Sequence, residues 1–147
     1  MRLTQHTDFA LRVLIHLALH REGRVTTAEI AEDYGISLHH LHKVVRELGR
    51  LGLVELRRGK GGGMSLLREP DEISIGAVVR KLEPPTDLLE CFDPARDECA
   101  ISRMCGLKPR LGRAMEAFYR ELDDVHLEDV TGGRAAEQLR KALKERG

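Results

Sequence analysis

Residues 26–67, TTAEIAEDYGISLHHLHKVVRELGRLGLVELRRGKGGGMSLL, decide the fold of this chain. Thr26 and Glu29 have the spacing of a capping box, which predicts the start of a helix. Gly35 ends that helix, and Ser37 caps a second helix that extends to about Leu51. The apolar residues of the second helix recur at helical spacing and face inward: Leu41, Val44, Val45, Leu48 and Leu51. Two helices joined by a short turn that contains glycine predict a helix-turn-helix.

A short hairpin follows the second helix directly. Leu53–Leu56 is a predicted strand, Arg57–Gly63 is a basic loop with four glycines, and Met64–Leu67 is the returning strand. The loop does not match a nucleotide-binding loop, since its Gly-Lys pair is not followed by Ser or Thr. Strand, loop and strand after a helix-turn-helix form a wing. The predicted fold class is mainly α with a small β wing: a winged helix-turn-helix domain with a long dimerisation helix.

A winged helix-turn-helix with cations at these positions is typical of a DNA-binding protein. The first turns of the second helix would face base edges in the major groove, and the glycines would let the wing approach the DNA backbone. An arginine of the wing could also enter the minor groove. The candidate DNA contacts are Ser37, His39, His40, Lys43, Arg46, Arg57, Arg58 and Lys60. The predicted partner is double-stranded operator DNA, although for each histidine taken singly a solvated helix face is the favoured alternative.

Two further helices complete the N-terminal domain, which we place at residues 1–83. Thr4–Leu19 carries apolar residues at helical spacing, and a threonine can cap its start. Ser74–Leu82 begins with a serine cap. Pro84 and Pro85 end this helix, because the residue before a proline avoids helical geometry.

All three cysteines of the chain, Cys91, Cys99 and Cys105, lie in a predicted loop at residues 84–105. Three is an odd number, so they cannot all pair within one chain. Clustered thiols in a reducing compartment more often bind metal or take part in redox chemistry. Three thiolates could hold an iron–sulfur cluster or supply three of four zinc ligands, and their spacing does not decide between these. Three unrelated reduced cysteines are the remaining alternative.

A long helix is predicted after this loop, from Gly106 to about Val125, within a dimerisation segment at residues 106–130. Its apolar residues step by three or four positions: Leu107, Leu111, Met115, Phe118, Leu122 and Val125. Such a stripe suits a partner helix. A homodimer is therefore favoured over packing of the helix on its own domain. Residues 131–147 are predicted to form a polar, frayed helical tail.

Composition and charge argue against a membrane protein and against a cysteine-dependent enzyme. The chain has 147 residues and no net charge. Residues 1–68 hold 11 Lys and Arg against 7 Asp and Glu, whereas residues 69–147 hold 13 against 17, so the first half suits a polyanion better. The sequence has no signal peptide and no run of about 18 apolar residues, so a cytoplasmic protein that does not span a membrane is expected. His126 is the only histidine after the wing, which argues against a cysteine-dependent enzyme.

Four features of the sequence occur together. They are Leu3-Thr4-x-x-Thr7-Asp8-Phe9-Ala10-Leu11-Arg12, the wing loop Arg58-Gly59-Lys60-Gly61-Gly62-Gly63, the stretch Ile75-Gly76-x-Val78-Val79-Arg80-x-Leu82-Glu83 and the three cysteines. Over roughly residues 1–130 the chain resembles the NsrR/IscR family of winged-helix iron–sulfur regulators, and its first and third motifs resemble the NsrR branch more. This resemblance implies a dimeric repressor that loses DNA affinity when nitric oxide attacks its iron–sulfur cluster.

The resemblance also implies the ligands of that cluster. Cys91, Cys99 and Cys105 would hold it, with a 4Fe–4S cluster favoured and 2Fe–2S the alternative. Asp8, donated by the other subunit, is the implied fourth ligand. From the residues alone, Asp8 is an acid in the first turn of a helix that pairs with Arg12 four residues later. The alternative functions are a regulator of the same fold that senses cluster supply or redox state, and a zinc-stabilised protein that binds DNA constitutively.

Overall fold

A computed structural model describes residues 3–83 and 88–145 of the chain. Its longer elements are the helices α1 (Gln5–Leu19), α2 (Thr27–Tyr34) and α3 (Leu38–Arg50), the strands β1 (Val54–Arg57) and β2 (Gly63–Leu66), and the helices α4 (Ile75–Leu82), α5 (Leu107–Asp123), α6 (Leu127–Thr131) and α7 (Gly133–Lys144). Short 3-10 turns lie at Pro70–Glu72, Glu90–Phe92 and Ser102–Met104. The predicted fold class, mainly helical with a small two-stranded wing, is confirmed.

The caps of the helix-turn-helix form as the sequence predicts. The hydroxyl of Thr26 accepts a hydrogen bond from the Glu29 N–H, and the Glu29 carboxylate accepts one from the Thr26 N–H, which completes the capping box. Gly35 ends α2 with φ +62°, a left-handed conformation that suits glycine. Ser37 caps α3 by accepting from the His40 N–H. These local bonds fix the short turn between the two helices.

The wing is an antiparallel hairpin whose register pairs Val54 with Leu66 and Arg57 with Gly63. Both strands lie one residue away from their predicted bounds. β1 starts late because the Leu53 N–H donates to the Leu48 carbonyl and so still belongs to the end of α3. A third segment joins the sheet, since Val25 and Met64 exchange both of their backbone hydrogen bonds.

One apolar core joins α1, α3 and the wing. The four inward positions Leu41, Val44, Val45 and Leu48 of α3 are buried as predicted, whereas Leu51 is half-buried. α1 contributes the central layer of the core: Ala10, Val13, Leu14, Leu17 and Ala18. α6 adds Leu127, which is fully buried in the same cluster. The C-terminal part of the chain therefore returns to the N-terminal core.

α4 and α5 cross at very close range. A Cβ on Gly76 of α4 would lie 2.3 Å from Oδ1 and 2.4 Å from the backbone N of Asp123, so only glycine fits there. The Ser74 hydroxyl donates to the Asp123 carbonyl at 3.0 Å, and the Ile75 N–H donates to the Val125 carbonyl at 2.8 Å. The start of α4 and the end of α5 are thus joined by backbone and side-chain bonds.

The C-terminal tail differs from its predicted form. A helix was expected there, and α7 is one, but the helix is docked rather than frayed. Ala136 is buried, and Arg140 donates two hydrogen bonds to the carbonyl of Leu19, at 3.0 and 3.3 Å. The tail therefore caps the end of α1. No helix among the described residues is long and apolar enough to cross a membrane.

Candidate nucleic-acid interface and cysteine loop

The exposed face of α3 is basic. Since an α-helix turns by about 100° per residue, burial of Leu41, Val44, Val45 and Leu48 points the opposite face outward. That outward face carries three of the predicted DNA contacts, all exposed: His39, Lys43 and Arg46. The described part of the chain gives Lys43 and Arg46 no acidic partner, so both cations are available to phosphate.

Two predicted contacts on α3 lie off this outward face. His40 turns toward α1, where its ring centroid is 6.4 Å from that of Phe9 and where it borders a small cleft with His6. The Ser37 hydroxyl is engaged as the cap of α3, although its hydroxyl proton remains free to donate. Both residues stay at the edge of the basic face.

The wing loop is shaped by its glycines. Gly59 and Gly61 have φ of +87° and +73°, and a Cβ on Gly62 would lie 2.5 Å from the Arg57 carbonyl oxygen. Arg58 and Lys60 are exposed at the tip of this loop. The glycines therefore hold two cations on a thin, protruding loop that can approach a DNA backbone closely.

Arg57 is placed differently from the other wing cations. Its Nε lies 3.6 Å from an Oε of Glu55, and the same carboxylate also pairs with Arg24. Both arginines help hold the pKa of Glu55 below its ordinary value, the hydrogen bond from Arg24 being the largest cause. Part of the charge of Arg57 is thus neutralised at the base of the wing.

A groove of about 710 Å³ separates α3 from the wing. Its polar walls come from the first residues of α2, from α3 and from the wing loop: Thr26, Thr27, His42, Arg46, Arg57 and Arg58. His42 lines this groove although it is not among the predicted DNA contacts. The signal that could have found it is its spacing of four residues from Arg46, which places both side chains on one side of α3.

The cysteines lie between α4 and α5. Cys91 is in the 3-10 turn Glu90–Phe92 and is buried, whereas Cys99 and Cys105 are partly exposed. All three thiols are free. Cys105 directly precedes Gly106, the residue before α5, as the sequence predicts. Pro84 and Pro85, the predicted stop of α4, lie outside the described residues.

Hydrogen bonds attach the cysteine loop to α5. The Asp97 carboxylate accepts bonds from the Ser102 hydroxyl and the Cys99 N–H, and Lys108 of α5 lies 3.5 Å from it. The bond from Ser102 is the main reason why the pKa of Asp97 is below its ordinary value. On the other side of Cys99, the ring of Phe92 packs close to Gly112. Movement within this loop would therefore reach α5.

The donor set suits an iron–sulfur cluster in its chemistry, since three free thiols lie within one irregular segment of 15 residues. Within residues 3–83 and 88–145, no group of three His, Cys, Asp or Glu side chains is close enough together to hold a single metal ion. The three thiols therefore lie on a common loop, but their side chains do not converge on one point.

Asp8 pairs with Arg12, as their spacing of four residues in a helix predicts. Its carboxylate forms two hydrogen bonds with the Arg12 guanidinium, at 3.0 and 2.8 Å, on the surface of α1. The side chains are 46% and 39% exposed, so the pair is accessible to a second subunit. Within this chain Asp8 belongs to an ion pair rather than to the cysteine loop.

The described residues cover the stripe on α5 only in part. No residue of α5 is fully buried, and the predicted seam residues Leu111, Met115, Phe118, Leu122 and Val125 are half-buried. Leu107, the first residue of the predicted stripe, is more exposed still, as are the two large apolar side chains that precede it, Ile101 and Met104. Met104 is 90% exposed. This apolar surface runs from the cysteine loop along α5.

A helix-turn-helix with a basic outward face and a glycine-rich basic wing defines a DNA-binding transcriptional regulator. The model of one family, described as Rrf2, iron-dependent transcriptional regulator, matches residues 3–133. This chain belongs to the Rrf2 family. It is 46% identical over 145 residues to the HTH-type transcriptional regulator NsrR of Bacillus subtilis, which covers 98% of both chains. It is 47% identical over 147 residues to NsrR of Geobacillus kaustophilus, which covers 99% of both.

Solved structures share the fold. The oxidized form of Staphylococcus aureus CymR superposes with a TM-score of 0.71 at 27% identity, over 90% of this chain and 98% of that one. Bacillus subtilis CymR, a global cysteine regulator, gives a TM-score of 0.67 at 29% identity, over 93% and 98%. IscR of T. potens matches in fold alone, with a TM-score of 0.69 at 24% identity over 100% and 92%.

Proposed function

We propose that this chain forms a homodimeric repressor that binds an iron–sulfur cluster and releases its operator when nitric oxide reacts with that cluster. The observation that carries the proposal is the placement of three free cysteines on one loop between α4 and α5. α4 belongs to the DNA-binding domain, and α5 carries the apolar stripe, so the loop joins the two. The relatives named NsrR support the regulatory role through their identity over nearly the whole chain.

Cys91, Cys99 and Cys105 are the proposed thiolate ligands, and Asp8 of the other subunit is the proposed fourth ligand. When bound, the cluster would supply iron that reacts with nitric oxide. A 4Fe–4S cluster is favoured, with 2Fe–2S as the alternative. A carboxylate binds iron less tightly than a thiolate does, so one iron would be more open to a diatomic gas. For Asp8 to serve, its ion pair with Arg12 must open, and an exposed pair of this kind costs little to break.

The residues between the loop and the DNA-binding domain can transmit a change in the loop. Lys108 and Phe92 join the loop to α5, and Arg80 of α4 joins α4 to α5 through Glu116 and Asp123. The Arg80 guanidinium also lies 4.6 Å from the ring centre of Tyr119. A shift of α5 would therefore move α4, which packs against α1.

Dimerisation is proposed to bury the stripe of α5 against its copy. A dimer would present two α3 helices to two half-sites, and these need a fixed spacing of about one DNA turn, near 34 Å. Loss of the cross-subunit Asp8 ligand would release the link that sets this spacing. DNA affinity would then fall through a shift between two dimer arrangements.

Metal and sulfide analysis of the anaerobically purified full chain tests the proposal. We expect broad visible absorption, iron and sulfide in equal amounts, and loss of both in Cys91→Ser, Cys99→Ser and Cys105→Ser. Arg103→Gln is the matched control, because it alters an exposed residue of the same loop without removing a thiol. A colourless protein that contains zinc, or a cluster that survives all three substitutions, would refute the proposed ligand set.

Nitric oxide separates the proposed sensor from the related alternative. Additions of nitric oxide and of oxygen to the cluster-loaded protein are compared while DNA binding is followed. Loss of DNA binding with nitric oxide at low equivalents supports the proposal. Loss with oxygen alone, or DNA binding that changes only with cluster content, would favour a regulator of redox state or cluster supply.

A further inference from the structure

His42 is the one histidine of α3 that faces the wing. It lies about 100° around the helix from the buried residue Leu41, on the side that borders the groove of about 710 Å³. His39 lies on the outward face, and His40 packs toward Phe9 of α1. The three neighbouring histidines therefore have three different surroundings, and His42 alone lies in the groove.

The groove around His42 is strongly cationic. Arg46 contributes from α3, and Arg57 and Arg58 contribute from the wing. The N-terminus of α2, at Thr27, also borders the groove. The helix dipole favours an anion at this end. Among the described residues, neither Asp nor Glu lines the groove.

The acids on the neighbouring elements are already engaged. Glu29 of α2 accepts hydrogen bonds from Thr26, which are the main reason why its pKa is below the ordinary value. Glu55 of β1 pairs with Arg24 and Arg57. Within residues 3–83 and 88–145, no unengaged carboxylate lines the groove beside His42, so an anion from outside the chain could pair with a protonated imidazole there.

The shape of the groove selects the kind of anion. It is an open trough between a recognition helix and a wing, two elements that contact adjacent grooves of a DNA duplex. One strand of the DNA backbone must pass between them. Its phosphates would then lie beside both the His42 imidazole and the arginine guanidinium groups that line the groove.

We propose that His42 binds a backbone phosphate of operator DNA in the groove between α3 and the wing, and takes up a proton from solvent as the DNA binds. The inference rests on the DNA-binding role of this chain. An imidazole titrates near neutral pH, so binding to phosphate converts a neutral donor into a cationic one. DNA affinity therefore rises as pH falls, through this residue.

The expected size of the effect follows from one proton. If phosphate stabilises imidazolium about tenfold relative to the neutral ring, affinity rises about fourfold between about pH 7.5 and about pH 6. The salt dependence changes as well. At the lower pH, the slope of log affinity against log salt steepens by about 0.4, because a ring stabilised tenfold is already about half protonated in the complex at about pH 7.5 and one full phosphate contact contributes about 0.9.

Fluorescence anisotropy of a labelled DNA duplex tests the inference. The duplex is selected from a random-sequence pool by the anaerobically purified full chain, and its affinity is measured at both pH values and at several salt concentrations. His42→Gln should remove both the fourfold rise and the steeper salt slope. His42→Arg should restore affinity at the higher pH and leave a pH response no larger than that of His42→Gln, a result that a purely structural role would not give.

His20→Gln is the matched control, because His20 is an exposed histidine at the end of α1 outside the groove. It should keep the full pH response. A wild-type affinity that does not depend on pH, or a pH response that is as large in His42→Gln as in the wild type, overturns the inference. A chain that selects no duplex at either pH instead contradicts the DNA-binding role itself, so the two failures are distinguishable.

Discussion

Glu83 at the end of α4 accepts two hydrogen bonds from Thr4 at the start of α1, one from the backbone N–H at 2.9 Å and one from the hydroxyl at 3.0 Å. Glu83 is only 8% exposed. Thr4 is also the cap of α1, since its hydroxyl accepts from the Thr7 N–H. One buried carboxylate thus joins the first helix of the DNA-binding domain to the segment that leads into the cysteine loop.

Glu83→Gln should destabilise the fold at neutral pH. A charged acceptor of two hydrogen bonds becomes a neutral amide that must place an oxygen toward Thr4, at a cost of about 1–2 kcal/mol. Urea denaturation of the wild type and the variant measures this difference. Glu137→Gln on the exposed side of α7 is the matched control and should change the free energy of unfolding little. Equal stability of Glu83→Gln and wild type would contradict the role assigned to this contact.

The same contact predicts a pH dependence. Burial raises the pKa of Glu83, but hydrogen bonds from Thr7 and Thr4 outweigh it and leave the pKa below its ordinary value. A carboxyl whose pKa is lower in the folded state stabilises the fold above its unfolded pKa of about 4.3, and this contribution disappears as pH falls through the folded value. The stability gap between wild type and Glu83→Gln should therefore narrow as pH falls below about 4.3 and close once pH is below the lowered folded pKa. A gap that widens there would be inconsistent with a lowered pKa.

Arg80→Ala should separate cluster binding from the DNA response. Its guanidinium bonds to Asp123 at 2.8 Å and to Glu116 at 3.0 Å, and these bonds raise the pKa of Arg80 further above its ordinary value. We expect the variant to retain iron and sulfide, to melt at a lower temperature, and to lose less DNA affinity when nitric oxide is added.

The control for Arg80 is Arg113→Ala on α5, since the described residues give Arg113 no acidic partner. Because the Arg80 pairs are exposed, high salt should lower the melting temperature of the wild type toward that of Arg80→Ala. A full DNA response to nitric oxide in Arg80→Ala would show that the signal does not pass through this contact.

Gly62→Ala should damage the wing without unfolding the domain. The added methyl would lie 2.5 Å from the Arg57 carbonyl oxygen and 2.8 Å from the Gly59 carbonyl oxygen, so the loop must open. Arg58 and Lys60 would then be displaced, at a cost of about 1–3 kcal/mol in DNA binding. Ser65→Ala in β2 is the control. Unchanged DNA affinity in Gly62→Ala, measured by anisotropy, would exclude the wing from the interface.

Arg140→Gln should loosen α7 from the domain. Arg140 satisfies the terminal carbonyl of α1, and loss of these two bonds should cost about 1 kcal/mol in the free energy of unfolding. Hydrogen exchange should show faster opening of the amides in α7. Lys141→Gln is the control, because among the described residues the exposed Lys141 pairs with Glu145, four positions later, and not with α1. Exchange that is identical in the two variants would mean that α7 is held by apolar contacts alone.

The parts of this fold that the sequence predicts correctly are set by local interactions. The capping box at Thr26 and Glu29, the stop at Gly35 and the inward positions of α3 all depend on residues within a few positions of each other. The pairing of Asp8 with Arg12 is likewise an i, i+4 contact. Local spacing is enough to place the recognition helix and the wing.

The parts that were missed depend on distant residues. Arg140 and Leu19 are 121 positions apart, and Glu83 and Thr4 are 79 apart, so no pattern in the sequence indicates either contact. The place of His42 in the groove follows only once the wing is folded against α3. The three thiols are not gathered around one point in the described part of the chain. The proposed cluster and second subunit would have to bring them together, so the site stays a prediction.

The most direct test of the central claim is the DNA affinity of the anaerobically purified full chain, followed by anisotropy as nitric oxide is added stepwise. The account predicts that the wild type starts with tight binding and loses at least about tenfold in affinity as its visible absorption changes. Asp8→Ala should bind DNA more weakly from the start and respond less. Wild-type affinity that stays constant while the absorption changes, or an equal loss in Cys99→Ser, would contradict it.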